Sequence, residues 1–251
     1  MPSPGDTITV PRSRRFAQMK RPRWLRNAWF ATRQTVGRSG WTIPLLRYAP
    51  APYTRVLVSR DMDICIDGMP RSANTFGGWA FLDQNPEAEL AHHQCLPGQI
   101  LRSVRLGVPT ALLIREPLPN LTSLVIAAEN DLSHDLAFWA WIDYYRRAAR
   151  VKDRLAVCRF EEVLDDPAVI ARRVNRIHGT SFKDDPMSDE DKQRIVQSLE
   201  ENERQMRSRP GHGTVPNPHK ENLQPQVREQ LAKHPRLPEA EALYAELTGT
   251  S

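Results

Sequence analysis

The sequence predicts an α/β fold of three layers, α/β/α, around a mainly parallel central sheet. Three observations point there. Short β-rich runs alternate along the chain with longer helical patterns, the order that places helices on both faces of a parallel sheet. Several of those runs are apolar at nearly every position, as strands covered on both faces are. The chain has 251 residues, 40% of them hydrophobic, which suits one such domain with appendages.

Taken in order, residues 1–22 are polar, basic and Pro-rich and predict disorder. Arg23–Val36 places Trp24, Leu25, Ala28, Trp29 and Thr32 at helical spacing, with basic residues opposite. That predicts an amphipathic helix, which either packs its apolar stripe on its own domain, the commoner arrangement, or lies on a membrane. Residues 1–50 thus read as a basic arm, partly disordered or helical, and 51–251 as the domain proper. Arg55–Ser59 and Asp63–Asp67 predict strands. Thr75–Leu82 predicts a helix, Glu89–His93 a short strand and Pro97–Leu106 a helix. Thr110–Arg115 predicts a fully buried strand. Helices follow at Leu118–Ala128 and His134–Lys152, where Trp139, Trp141, Tyr144 and Tyr145 read as core. Leu155–Phe160 predicts another buried strand, then a turn. Pro167–His178 reads as a helix opened by its proline. From about residue 188 the chain turns helical. Ser188–Arg207 opens on a Ser188-x-x-Asp191 cap, Pro210–Pro218 is a Gly/Pro loop, and two short helices at about 225–233 and 238–247 close the chain.

Charge is unevenly spread. Residues 1–60 hold twelve Lys and Arg against one acid, Asp6, a net of +11, while the other 191 hold 23 basic and 29 acidic residues, a net of −6. The basic arm suits an anionic surface, whether lipid, nucleic acid or an acidic acceptor. No motif of specific nucleic-acid recognition accompanies it. Three cysteines without framework spacing predict free thiols in a reducing compartment. No apolar leader precedes the first helix and no stretch nears the roughly 18 apolar residues of a spanning helix. The expectation is a cytoplasmic protein with a peripheral membrane contact as the alternative.

Chemistry-bearing residues cluster where strands should meet helices, which is where open parallel sheets bind ligands. The first junction is Asp67-Gly68-Met69-Pro70-Arg71-Ser72-Ala73-Asn74-Thr75. Gly68 frees the turn. Small residues at Ser72 and Ala73 let main-chain N–H groups face an anion, and the helix start adds its positive end. Arg71 adds a fixed cation, and Ser72, Asn74 and Thr75 add side-chain donors. The Gly-Lys-Ser/Thr ending of an ATP-binding loop is absent. The second junction is Arg115-Glu116-Pro117 with Ser123 eight residues beyond Arg115, a guanidinium and a hydroxyl suited to one phosphate.

The Pro70–Thr75 segment resembles the 5′-phosphosulfate loop of P-loop sulfotransferases. The Arg115/Ser123 pair is similar to that family's 3′-phosphate site. Ala73 stands where the family has Gly. Arg159-Phe160-Glu161-Glu162-Val163-Leu164, followed by Asp165-Asp166-Pro167, resembles an architectural segment of the same family, and the likeness covers roughly residues 60–180. It implies 3′-phosphoadenosine-5′-phosphosulfate (PAPS) as donor, no metal, and an acceptor hydroxyl or amine on a small molecule or glycan. A late basic loop contacting the donor implies Arg209 or Lys220. The family's base, a His before Leu-Pro, falls in register on Cys95, because the stretch here is His92-His93-Gln94-Cys95-Leu96-Pro97. His93, two residues earlier, is the favoured base. Cys95 itself, or loss of the base, are the alternatives. A catalytically impaired nucleotide-binding module and a nucleotide phosphotransferase are the competing functions.

Overall fold

The structure is a computed structural model describing residues 22–48, 56–128, 131–206 and 218–250. Four strands form one parallel sheet in the order β2-β1-β3-β4: β1 Ile64–Gly68, β2 Leu90–His92, β3 Thr110–Ile114 and β4 Ala156–Arg159. β1 pairs β2 from Ile64↔Leu90 and β3 from Cys65↔Thr110, and β3 pairs β4 from Ala111↔Ala156. The order of strands reverses beside β1. β2 lies on one side of it and β3 on the other, so the crevice between the ends of β1 and β3 is the switch point of the sheet.

Alternation along the strands sorts the core into two layers. Leu112 and Ile114 of β3 face one cluster with Ile100, Leu121, Phe138, Trp141 and Tyr145. Those residues come from α3 (Pro97–Leu106), α4 (Pro117–Ala127) and α5 (His134–Ala149), and α9 (Pro218–Ala232) and α10 (Leu237–Thr248) pack outside them. Ala111 and Leu113 face the opposite cluster with Ile64 and Ile66 of β1 and with Phe81, Val163, Ile170 and Val174 from α2 (Asn74–Gln84), α6 (Phe160–Asp165) and α7 (Val169–His178). α8 (Asp189–Met206) packs on α2. The predicted three-layer fold is the observed one. Trp141, Tyr144 and Tyr145 are fully buried, whereas Trp139 is only half-buried against the core, under the Arg38 guanidinium.

Four expectations are corrected. Residues 56–59 form no strand. Their backbone is satisfied by side chains of α3, since Gln99 donates to Val56 O and accepts from Val58 N, and Arg102 donates to Val58 O. Beta propensity put an extended segment there, but side chains of α3, not a strand, take the polar groups of Val56 and Val58. Residues 160–165, expected as a turn, are the short helix α6. Glu162 closes it by accepting from the Arg159 backbone N–H at 2.9 Å. α9 begins at Pro218 and runs through Pro225, so Lys220 lies in a helix and not in a loop. Finally, α1 (Arg23–Val36) does pack on the domain, but with its polar face. Asn27 donates to Asp131 O at 2.7 Å and accepts from Ser133 N, and Gln34 is 3% exposed. The arm therefore joins the domain from residue 23 onward. Arg38 forms a two-bond pair with Asp143 of α5, at 2.6 and 3.0 Å. Gly98 approaches so closely that a Cβ there would stand 2.6 Å from Gly37 O. The expectations for residues 1–21, and for Arg207 to Asn217, lie outside the described residues. Among the described residues no helix is long and apolar enough to cross a membrane.

Candidate functional site

At the switch point, β1 ends in Gly68 because nothing larger fits. A Cβ there would sit 2.2 Å from Leu113 O. The loop Met69–Ala73 then folds over the end of the sheet and α2 starts. The N–H groups of Asn74, Thr75 and Phe76 form the first turn of α2, which has no intrahelical acceptors and carries the positive end of the helix dipole. Ala73, at the N-cap, is left-handed with φ 66° and ψ 18°. This is the position where the resembled family has Gly, and an L-residue there costs roughly 1–2 kcal/mol.

Ser72, Asn74 and Thr75 do not simply point at a ligand. The buried Tyr145 hydroxyl donates to Leu113 O at 2.9 Å and accepts from Met69 N at 3.3 Å. Its one proton is spent, so the Ser72 hydroxyl, 3.2 Å away, donates to it. Ser72 Oγ in turn accepts from Asn120 Nδ2 at 3.0 Å. Asn74 is 5% exposed and donates to Gly68 O and Met69 O, both at 3.0 Å. These side chains hold the loop from beneath, and what they leave to an anion is the main chain. Burial pushes the Tyr145 hydroxyl's pKa well up, keeping it a donor.

The cationic side is assembled from three elements. Arg71 Nε donates to Ser123 Oγ of α4 at 2.8 Å. Arg115, at the end of β3, reaches Arg71 O at 3.4 Å and lies 3.9 Å over the Phe160 ring. Its Nε is buried without a partner among the described residues, and burial lowers its pKa from the ordinary arginine value. Arg71, Arg115 and Ser123, predicted from two separate motifs, are thus brought together. Arg209 lies outside the described residues, and of Lys220 only its place in α9 is described.

The loop after β2 forms the third wall. His93 Nε2 lies 2.8 Å from Thr75 Oγ1, and its Nδ1 lies 2.5 Å from His92 Nδ1. Burial lowers the His92 pKa, favouring its neutral form. With the shared proton on His93 Nδ1, His93 Nε2 is a bare acceptor for the Thr75 hydroxyl, the state a general base requires. Cys95 Sγ lies 3.5 Å from Asn74 Nδ2. Both candidates for the base therefore lie against the first turn of α2, His93 on Thr75 and Cys95 on Asn74.

Sequence reading missed Asp67. It is fully buried, and it accepts from Gly68 N at 2.9 Å and from Cys95 N at 3.1 and 3.0 Å, tying the loops after β1 and β2 together. Burial raises its pKa to about 7, against the pull of those hydrogen bonds and of Arg33. Arg33 of α1 donates to Gln94 O in the same loop. The available signal was an acid within an otherwise apolar strand, a residue type almost never buried without a partner. All four non-glycine residues with positive φ among the described residues lie in these two loops: Arg71 at 75°, Ala73 at 66°, His93 at 63° and Cys95 at 51°. A shallow groove of about 480 Å³ at the outer edge of β4, lined by Val157, Arg159, Glu162, Arg173 and Arg176, contains none of these residues. Comparison with known protein families, with curated proteins and with solved structures found no match to this chain.

Proposed function

We propose that this protein is a sulfotransferase that moves a sulfuryl group from PAPS to a hydroxyl or amine of a small-molecule or glycan acceptor. The observation that carries the reading is the convergence of Arg71, Arg115 and Ser123 on the mouth of a main-chain cradle at the switch point of the sheet. The Nε of Arg115, buried and without a partner among the described residues, fits an anion, which would supply the missing acceptor. The cradle N–H groups and Arg71 hold the 5′-phosphosulfate, and Arg115 with Ser123 holds the 3′-phosphate. In the transfer the bond from sulfur to the bridging oxygen breaks as the acceptor oxygen or nitrogen bonds to sulfur. Arg71 offsets charge on the departing phosphate, and His93 Nε2 takes the acceptor proton. Ser72, Ala73 and Asn74 shape the loop, and Thr75 orients His93.

Titration with the product nucleotide, 3′-phosphoadenosine-5′-phosphate, tests the reading. The parent binds it without Mg²⁺, Arg115→Ala binds it at least about tenfold more weakly, and Arg71→Ala lowers turnover by roughly 10²–10³. His93→Ala abolishes turnover with nucleotide affinity unchanged, because a base acts on the acceptor, and Cys95→Ala stays active. Nucleotide binding without turnover in the parent points to the impaired binding module that Cys95 keeps in play. Binding of ATP with Mg²⁺ instead points to a phosphotransferase.

A further inference from the structure

A surface helix ordinarily buries its apolar face and shows its polar one. α1 does the reverse. Towards the body it turns Asn27, bonded to Asp131 and Ser133, Arg33, bonded to Gln94, and the buried Gln34, with Phe30 as its apolar anchor. Arg23 and Arg26 at its start also reach Asp131. Towards solvent it turns Trp24, Leu25, Ala28, Trp29, Thr32 and Thr35, all exposed. At 3.6 residues per turn these six form a single stripe, and none is charged. Trp24 is 70% exposed, Trp29 42% and Leu25 37%. The following segment adds Trp41 and Leu45, both exposed.

Folding leaves this apolar stripe without a partner among the described residues, and its surroundings say what would cover it. The first 60 residues carry a net charge of +11, with Arg12, Arg14, Arg15, Lys20 and Arg21 immediately before the helix. Tryptophan suits the boundary between water and hydrocarbon, its ring body apolar and its N–H wet. Cations flanking such a stripe are attracted to anionic headgroups. A second copy of this chain fits poorly, because it would set one +11 segment against another. We infer that α1 is an interfacial helix that seats the protein on an anionic phospholipid bilayer, with Trp24, Leu25 and Trp29 entering the headgroup region and the net positive charge of the first 60 residues drawing it there.

The test is cosedimentation of the full chain with vesicles of phosphatidylcholine alone, and of phosphatidylcholine mixed with phosphatidylserine. The full chain is expected to pellet with the mixed vesicles, to stay largely in solution with phosphatidylcholine alone, and to be released as salt is raised. The double variant Trp24→Ser/Trp29→Ser is expected to bind at least about tenfold more weakly, with an unchanged thermal midpoint because both side chains are exposed. Three results would overturn the inference. One is a parent that ignores mixed vesicles. Another is a double variant that binds them as the parent does, which would leave the basic residues as sufficient. The third is a parent dimer that the double variant dissolves, which would make the occupant a second copy.

Discussion

Asp67 shows how one residue sets a dependence on pH. Its carboxyl is buried under two loops and titrates near 7, against an ordinary value of 3.8. The folded chain thus binds this proton more tightly than the unfolded chain does. The stability it contributes is fully present below about pH 4 and is lost as pH rises through about 7, a span worth about 4 kcal/mol at most. In Asp67→Asn the Oδ1 atom still accepts from Gly68 N and Cys95 N. The variant is expected to be about 1 kcal/mol less stable than the parent near pH 4, and to equal or exceed it by pH 8. Urea unfolding of both proteins across that range checks this, and parallel curves would reject it. Asp67 escaped sequence reading because its role depends on the Cys95 amide, 28 residues away and on another strand's loop. Arg71 and Arg115 were legible because their motifs are local, each a strand end followed by a helix start.

Among elements, α2 couples chemistry to backbone cost. Ala73 stands left-handed at its N-cap, a conformation Gly adopts freely. Ala73→Gly relieves that strain but frees the unfolded chain, so a net gain of up to about 1 kcal/mol is expected, read as a higher urea midpoint with an unchanged slope. A loss would mean that the methyl group packs in a way the conformational argument omits. Strands and helices with strong periodicity were legible from sequence, and β1, β3, α3 and α5 fall where expected. What was not legible was orientation and pairing. The apolar stripe of α1 was expected to face inward. The helix turns outward because Asn27 and Arg33 find buried carbonyl and amide partners that a sequence does not show. The segment at 56–59 lost its strand to the side chains of α3 for the same reason. The role of Glu162 was read as architectural, and it is. Despite a burial penalty, the Arg173 and Arg159 guanidiniums hold its pKa down at about 2 while it joins α6 to α7 and β4.

At the scale of the whole molecule, the N-terminal segment is part of the domain. Removing residues 1–21 is expected to leave the thermal midpoint nearly unchanged. Removing residues 1–48 takes Arg38 from Asp143, leaving it Arg147, and uncovers Gly98, Leu96 and the Gln94 carbonyl; it is expected to lower the midpoint by about 5–10 °C. Calorimetry on the two truncations distinguishes a docked helix from a dispensable arm. The fold class was readable because alternation of strand and helix constrains topology strongly. The docking of α1 was not, because it rests on contacts spanning 61 and 108 residues of chain, from Arg33 to Gln94 and from Arg23 to Asp131.

The four left-handed residues at the ends of β1 and β2 bear on how a ligand arrives. Each holds a conformation that an unconstrained chain would leave, and hydrogen bonds from Asp67, Tyr145 and Asn120 tie their loops down. On the proposed reading, a nucleotide entering between these loops has little backbone left to order, which removes that entropy cost from its binding free energy. The proposed recognition would then be closer to lock and key than to induced fit. Differences in affinity among nucleotides should then lie mainly in how slowly each one leaves.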